Sequence, residues 1–231
     1  MAADSEQLIL PVGFHEAADL EGFEPGANAA AVAAVAAREP GPLFLWGGPG
    51  RGKTHLLQAA CVAAGRNGEP VAYLPLSTAG LTPEALQGLE GMAVVAVDDL
   101  DAVAGDRAWE EALFHLFNRT REAGAPFLAA ASAAPAALPL VLEDLRSRLA
   151  WGLVFHLQPL DDAGLCRALM DRARRRGMEM PEAVANYLLR RISREPAEVF
   201  AWLERLDRAT LEAQRRLTIP FVRELISADG G

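Results

Sequence analysis

Eight consecutive residues, Gly47, Gly48, Pro49, Gly50, Arg51, Gly52, Lys53 and Thr54, have the types and spacing needed to hold the phosphates of a nucleotide. Glycines let successive backbone N–H groups turn inward around a β-phosphate. The Lys53 ammonium neutralises β- and γ-oxygens, and the Thr54 hydroxyl takes a position on Mg²⁺. Lys53 is the only lysine among the 22 basic residues. If lysine and arginine were interchangeable, the sole lysine would land there by chance about once in 22, so the position selects a compact ammonium.

A second acidic element follows in the run "MAVVAVDDLDAVAG", an apolar segment ending in Asp98 and Asp99. Such a pair at a strand end, downstream of a phosphate loop, is expected to complete the chemistry. Asp98 holds the Mg²⁺ shell together with Thr54, and Asp99 polarises an attacking water. Asp101 reads as an ordinary loop residue.

These groups need a scaffold that presents them at one end of a sheet. Five runs have strand length and nearly continuous apolar character: "PLFLW" (42–46), "VAYLPL" (71–76), "MAVVAVDDL" (92–100), "PFLAAAS" (126–132) and "LVFHLQPL" (153–160). Separated by helical pattern, they predict an α/β fold with a buried parallel sheet. After Leu160 the pattern turns helical throughout. Asp161 or Asp162 can cap the first helix and Gly177 can end it, while Pro181, Pro196 and Pro220 sit where a first turn tolerates proline. The expected organisation is an N-terminal peptide over 1–13, a nucleotide-binding domain over 14–160 and a helical subdomain over 161–231.

With 31 acidic against 22 basic residues, the net charge of −9 argues against a sequence-independent grip on nucleic acid. The four arginines of "DRARRRG" (171–177) read as a solvated helix face. Cys61 and Cys166 read as buried free thiols. His15, His55, His115 and His156 have no metal-ligand spacing, so no metal beyond Mg²⁺ is expected. The four tryptophans read as core or subunit-contact residues. No leader segment is evident and no apolar stretch reaches the roughly 18 residues of a membrane span, which gives a cytoplasmic reading.

The order of phosphate loop, "VVAVDDLDAVAGD", "FNRTREAG", "LEDLRSRLAWGLVFHLQPL" and helical tail resembles the DnaA-related AAA+ ATPases, and within them the Hda family of DnaA regulatory inactivators. The most specific matches are "SRLAWG", "TIPFVRELI" and "QLILPV". The resemblance implies a five-stranded αβα P-loop NTPase domain followed by a helical lid. It also implies a negative regulator of replication initiation that carries ADP or ATP with Mg²⁺, binds the DNA-loaded sliding clamp (the β subunit of DNA polymerase III) and promotes hydrolysis of DnaA-bound ATP. Direct DNA contact and homo-oligomerisation stay open, and no membrane partner is implied.

By the same resemblance, Gln7, Leu8, Leu10, Pro11 and Val12 form the clamp-binding peptide, and Arg148 is an arginine finger acting in trans. Arg146 is the competing candidate. Phe23, Gly26 and Asn28 lie near the adenine, and Ser132 is the first sensor position. The family's lid usually carries an arginine that reaches the nucleotide, but here that position is Ala197, with Arg194 nearby. Nucleotide is then held mainly by the phosphate loop, and intrinsic ATPase turnover is expected to be weak. The alternative is a DnaA-like initiator paralogue or a helicase loader working through ATP-dependent assembly. An initiator needs a basic helix-turn-helix after the lid, which the sequence does not show before Gly231. A loader engages helicase through a terminal extension, whereas the first dozen residues resemble a clamp ligand.

Overall fold

The computed structural model describes residues 18–229. The chain divides into two compact units, and both are discontinuous. The first contains residues 18–20, Ala33–Gly47 and Lys53–His156; the second contains Glu21–Val32, Gly48–Gly52 and the chain from Leu157 onward.

The first unit is built on five parallel strands in the order β2-β3-β4-β1-β5: β1 (Gly41–Trp46), β2 (Val71–Pro75), β3 (Val94–Asp98), β4 (Pro126–Ala131) and β5 (Leu153–His156). All residues of β3 and β4 are buried, which explains why their sequences run apolar without alternation. Three helices belong to this unit, α2 (Lys53–Arg66), α3 (Arg107–Glu122) and α4 (Glu143–Ala150), together with the C-terminal part of α1 (Ala29–Ala37). Asp106 starts α3 by accepting the N–H groups of Ala108 and Trp109. The helix then buries Trp109, Leu113, Leu116 and Phe117 in a core shared with Phe44, Leu74, Val95 and Val97. Phe117 meets Phe127 of β4 edge-on at 5.2 Å.

Register decides what stands at the carboxyl end of the sheet. Trp46 pairs with Ala131 on one side and His156 on the other, and Val97 pairs with Ala129. The residues that follow β1, β3 and β4 therefore emerge together at the carboxyl ends of the strands, where parallel sheets place their ligands. β5 is an edge strand, as is β2; it is shorter than the expected 153–160 run, and Leu153 and Val154 are exposed. Gly152 admits it beside β1: a Cβ there would lie 1.9 Å from the Pro42 carbonyl oxygen.

The second unit carries α5 (Asp162–Arg175), α6 (Glu182–Leu189), α7 (Pro196–Ala213) and α8 (Ile219–Asp229). Asp161 caps α5 through the Gly164 N–H at 2.7 Å, and Pro196 occupies the first turn of α7. Leu165, Leu169, Leu188, Val199, Leu203, Leu206 and Val222 form its core. Each fully buried aliphatic side chain of this kind contributes about 1.5–3 kcal/mol. The unit begins at Leu157, ahead of the boundary at 160 expected from sequence, because the Gln158 backbone already bonds to the Asn28 amide. No helix among the described residues is long and apolar enough to cross a membrane.

Candidate functional site

The phosphate loop joins β1 to α2. At its start Lys53 Nζ donates to the Gly47 carbonyl at 2.7 Å, folding the lysine over the loop's own entrance. At its apex Gly50 and Gly52 take φ of +69° and +87°, values that side chains rarely tolerate. Within the second unit the ring of Pro196 covers Gly50, where a Cβ would come within 2.9 Å of Pro196 Cδ. Phe23 covers Gly52, where a Cβ would come within 2.6 Å of Phe23 Cε2. Two rigid rings thus pack on the loop.

Other second-unit residues assigned from sequence have local duties. Asn28 is buried and uses both ends of its amide on Gln158, donating to the carbonyl at 3.0 Å and accepting the N–H at 2.7 Å. Ala197 is exposed in the first turn of α7, next to Pro196. Arg194 precedes that helix and pairs with Asp162 at 3.0 Å. The arginines of 172–176 are tied down as well: Arg172 lies over the Phe200 ring, Arg174 and Arg175 pair with Asp171, and Arg176 pairs with Glu204.

The acidic element sits in the first unit. Asp98 closes β3 with only 1% of its surface exposed. Burial raises its carboxyl above the ordinary carboxylate range, while hydrogen bonds from Thr54 and Tyr73 pull it back and the neighbouring Asp99 charge raises it again. Tyr73 Oη donates to Oδ2 at 2.9 Å and the Asp99 N–H to Oδ1 at 3.0 Å. Thr54 and Asp98, predicted to share Mg²⁺, are therefore in contact. Asp99 adopts a left-handed backbone with φ 53°, which turns its carboxylate out of the strand, and Ser77 Oγ donates to it at 2.6 Å. Ser132 follows β4 and is exposed; its N–H donates to Asp101 Oδ1 at 2.6 Å. Asp101, read from sequence as an ordinary loop residue, instead ties the turn after β3 to the end of β4.

One ammonium on the loop, next to a hydroxyl and a buried carboxylate, fits a magnesium-bound nucleotide in the chemistry of its donors. In the first unit Lys53 would address the phosphates, with Thr54 and Asp98 on the metal; Gly48, Pro49, Gly50, Arg51 and Gly52 are the phosphate-loop residues that fall in the second. Among the described residues no group of three or more His, Cys, Asp or Glu forms a separate metal site.

Arg146 and Arg148 lie two residues apart on α4, about 200° apart around the helix axis, and have different environments. Arg146 pairs with Glu143 and donates to the Leu140 carbonyl, and its Nε is buried. Arg148 has no carboxylate partner among the described residues and rests 5.9 Å from the ring centroid of Trp151, which is 62% exposed. Arg121 approaches the same ring at 5.4 Å. Val141, Trp151, Leu153 and Val154 leave large apolar surface exposed in this unit.

Sequence reasoning missed Tyr73, Ser77 and Glu110. Tyr73 was legible in principle, since a tyrosine inside a buried strand needs a partner for its hydroxyl. Glu110 shares a helical stripe with Leu113 and Phe117, a position where a carboxylate must be satisfied internally. The clamp-peptide residues Gln7, Leu8, Leu10, Pro11 and Val12 lie outside the described residues.

Residues 25–156 match the family model of the bacterial DnaA ATPase domain, and residues 156–226 match the model of the Hda lid domain. Among solved structures, the chain resembles domain III of Thermotoga maritima DnaA with a TM-score of 0.77 and 22% identity, covering 94% of this chain and 98% of that one. AMPPCP-bound DnaA from Aquifex aeolicus gives a TM-score of 0.68 at 24% identity over 80% of this chain and 63% of that one, so the chain spans less than two thirds of that protein's length. The Thermotoga maritima RuvB branch migration motor gives 0.61 at 19% identity, over 85% of this chain and 64% of that one. At these identities the structural likenesses establish the fold, and the family models add the lineage. The chain belongs to the family of the bacterial DnaA ATPase domain, as an Hda/DnaA-related AAA+ protein.

Proposed function

We propose that this chain is a negative regulator of replication initiation, a nucleotide-bound protein that stimulates hydrolysis of ATP held by DnaA and leaves DnaA in its ADP form. The observation that carries the reading is Arg148: a guanidinium without a carboxylate partner among the described residues, on a short helix in contact with an exposed tryptophan, while Arg146 beside it is fastened. Delivered across a subunit boundary, such a group stabilises charge on a transferring γ-phosphoryl and is worth about 10³–10⁵ in rate.

In this reading the chain's own nucleotide, ADP or ATP, has a mainly structural role. Lys53 and the loop amides would bind its phosphates, and Thr54 and Asp98 would hold Mg²⁺, which would supply charge neutralisation. Asp99 would orient a water, but Ala197 offers no lid charge to a γ-phosphate, so intrinsic turnover is slow. Gln7, Leu8, Leu10, Pro11 and Val12 bind the sliding clamp as a short extended peptide, which brings the protein to DNA in the cytoplasm through the clamp.

The test is single-turnover hydrolysis of ATP preloaded on DnaA, with DNA-loaded clamp, comparing the intact protein with Arg148→Ala and Gln7→Ala. Strong stimulation, lost in Arg148→Ala and dependent on the clamp through Gln7, is the expected result. No stimulation by the intact protein would overturn the proposal in favour of an initiator paralogue or helicase loader that works through ATP-dependent assembly.

A further inference from the structure

Glu110 is the most completely buried carboxylate in the first unit, with 0% of its surface exposed, and it touches neither the phosphate loop nor the acidic pair through any recorded bond. Its three hydrogen bonds all come from backbone. Oε1 accepts the Gly105 N–H at 2.7 Å and the Val141 N–H at 3.1 Å; Oε2 accepts the Leu142 N–H at 2.7 Å. Leu142 is the residue that caps α4, and its own side chain supplies no capping bond. The carboxylate therefore does from a neighbouring helix what the third-position glutamate of a capping box does locally, accepting the N–H of the cap residue itself.

We infer that Glu110 is a positioning residue that fixes where α4 starts and thereby where Arg148 is presented. A helix is rigid over two turns, so an anchor at Leu142 sets the direction of the side chain six positions later. Arg146, fastened to Glu143 and the Leu140 carbonyl, holds the same entry from the other side. Gly105 ends the turn that begins after Asp98, and Asp101 in that turn also holds the Ser132 N–H. Glu110 thus connects the segment following the acidic pair to the arginine helix through backbone bonds alone.

The placement of α4 is independent of the proposed function, whereas its consequence for DnaA-bound ATP rests on that reading. Glu110→Gln is the informative change because it keeps shape and removes charge. One amide oxygen cannot accept on both sides of the carboxylate's position, so at least one buried N–H then faces an NH₂ group. Hydrogen exchange on the full-length protein is expected to rise about tenfold at amides 141–150 in Glu110→Gln, with the amides of β1, β3 and β4 unchanged. Unchanged exchange across 141–150 overturns the inference whatever the protein does to DnaA. In the hydrolysis assay the maximal rate should fall about tenfold with the half-saturating concentration within about twofold, as expected when a group is misplaced and not when docking is lost. The same substitution in an Arg148→Ala background should have no further effect. If Arg148→Ala abolishes stimulation but Glu110→Gln leaves the maximal rate intact, positioning by Glu110 is refuted. If Arg148→Ala has no effect, the functional reading fails and the exchange data alone decide the placement of α4.

Discussion

Replacing Arg146 and Arg148 by alanine, one at a time, should separate stability from activity within a single helix. Arg148→Ala removes one guanidinium–ring contact at an exposed tryptophan, worth about 0.5–1 kcal/mol, and no ion pair among the described residues. For a chain of this size that corresponds to a melting shift of about 1–4 °C. Arg146→Ala removes a charged donor from the Leu140 carbonyl and a pairing with the exposed Glu143, and the exposed ion pair adds little. Its Nε is buried without a partner, so deleting the group also relieves a desolvation cost. The net loss should be about 1–2 kcal/mol, a shift of about 2–8 °C. Activity should rank the other way. Stimulation of DnaA-bound ATP hydrolysis should fall by at least about 10³ in Arg148→Ala, whereas Arg146→Ala should keep most of it at a temperature where the variant is folded. Thermal unfolding and single-turnover hydrolysis on the same preparations measure both quantities. A large activity loss in Arg146→Ala with Arg148→Ala near wild type would refute the assignment and make Arg146 the finger.

Asp98→Asn should be more stable than the wild type at neutral pH and bind nucleotide less well in Mg²⁺. Because burial raises the folded pKa of Asp98 above its unfolded value of 3.8, the native state keeps a proton that the unfolded chain has lost, so wild-type stability from this group falls as pH rises through the folded pKa and is level above it. The advantage of the variant, read from denaturant midpoints, should therefore shrink as pH is lowered through that window; an advantage that grows on acidification contradicts the sign. Asparagine can still accept the Asp99 N–H, but its NH₂ cannot accept from the Tyr73 hydroxyl, so the pH dependence of the difference and not its absolute size is the test. Ala197→Arg places a guanidinium beside Pro196, which already packs on the phosphate loop, and should tighten nucleotide binding by about 10–100-fold; unchanged affinity in a titration would show that this turn of α7 does not address the phosphates.

The fold was most legible where burial forced composition. β3 and β4 are covered on both faces, so "VVAV" and "PFLAAA" could only be apolar, and the two carboxylates breaking the first run marked its carboxyl end. The cap at Asp161 was visible because capping is local, a side chain bonding three residues on. β5 was harder: its exposed edge position left a four-residue strand inside a longer apolar run, and the turn to Leu157 depends on Asn28, 130 residues away from Gln158 in sequence. The grouping of Phe23 and Pro196 with Gly52 and Gly50 was invisible for the same reason, since nothing in the spacing of those residues encodes their approach. Glu110 and Asp101 were legible only in part. Burial of a carboxylate can be anticipated from its helical stripe, but the backbone groups it accepts from lie in loops whose path no periodicity reports.

The two rings on the phosphate loop bear on what the nucleotide is for. A lid that senses hydrolysis needs a charge whose interaction differs between ATP and ADP, and the first turn of α7 carries the uncharged Ala197 next to Pro196. What that turn does present is Pro196, packed on Gly50, with Phe23 packed on Gly52. Contacts to loop backbone respond to whether the loop is wrapped around phosphates, and far less to whether a third phosphate is present. A nucleotide held in this way would order the loop equally as ADP or ATP. Differential affinity is the only means by which a ligand shifts a conformational equilibrium, so a chain built on these contacts is suited to holding one state, with Arg148 displayed by a helix whose start is fixed from within the first unit by Glu110.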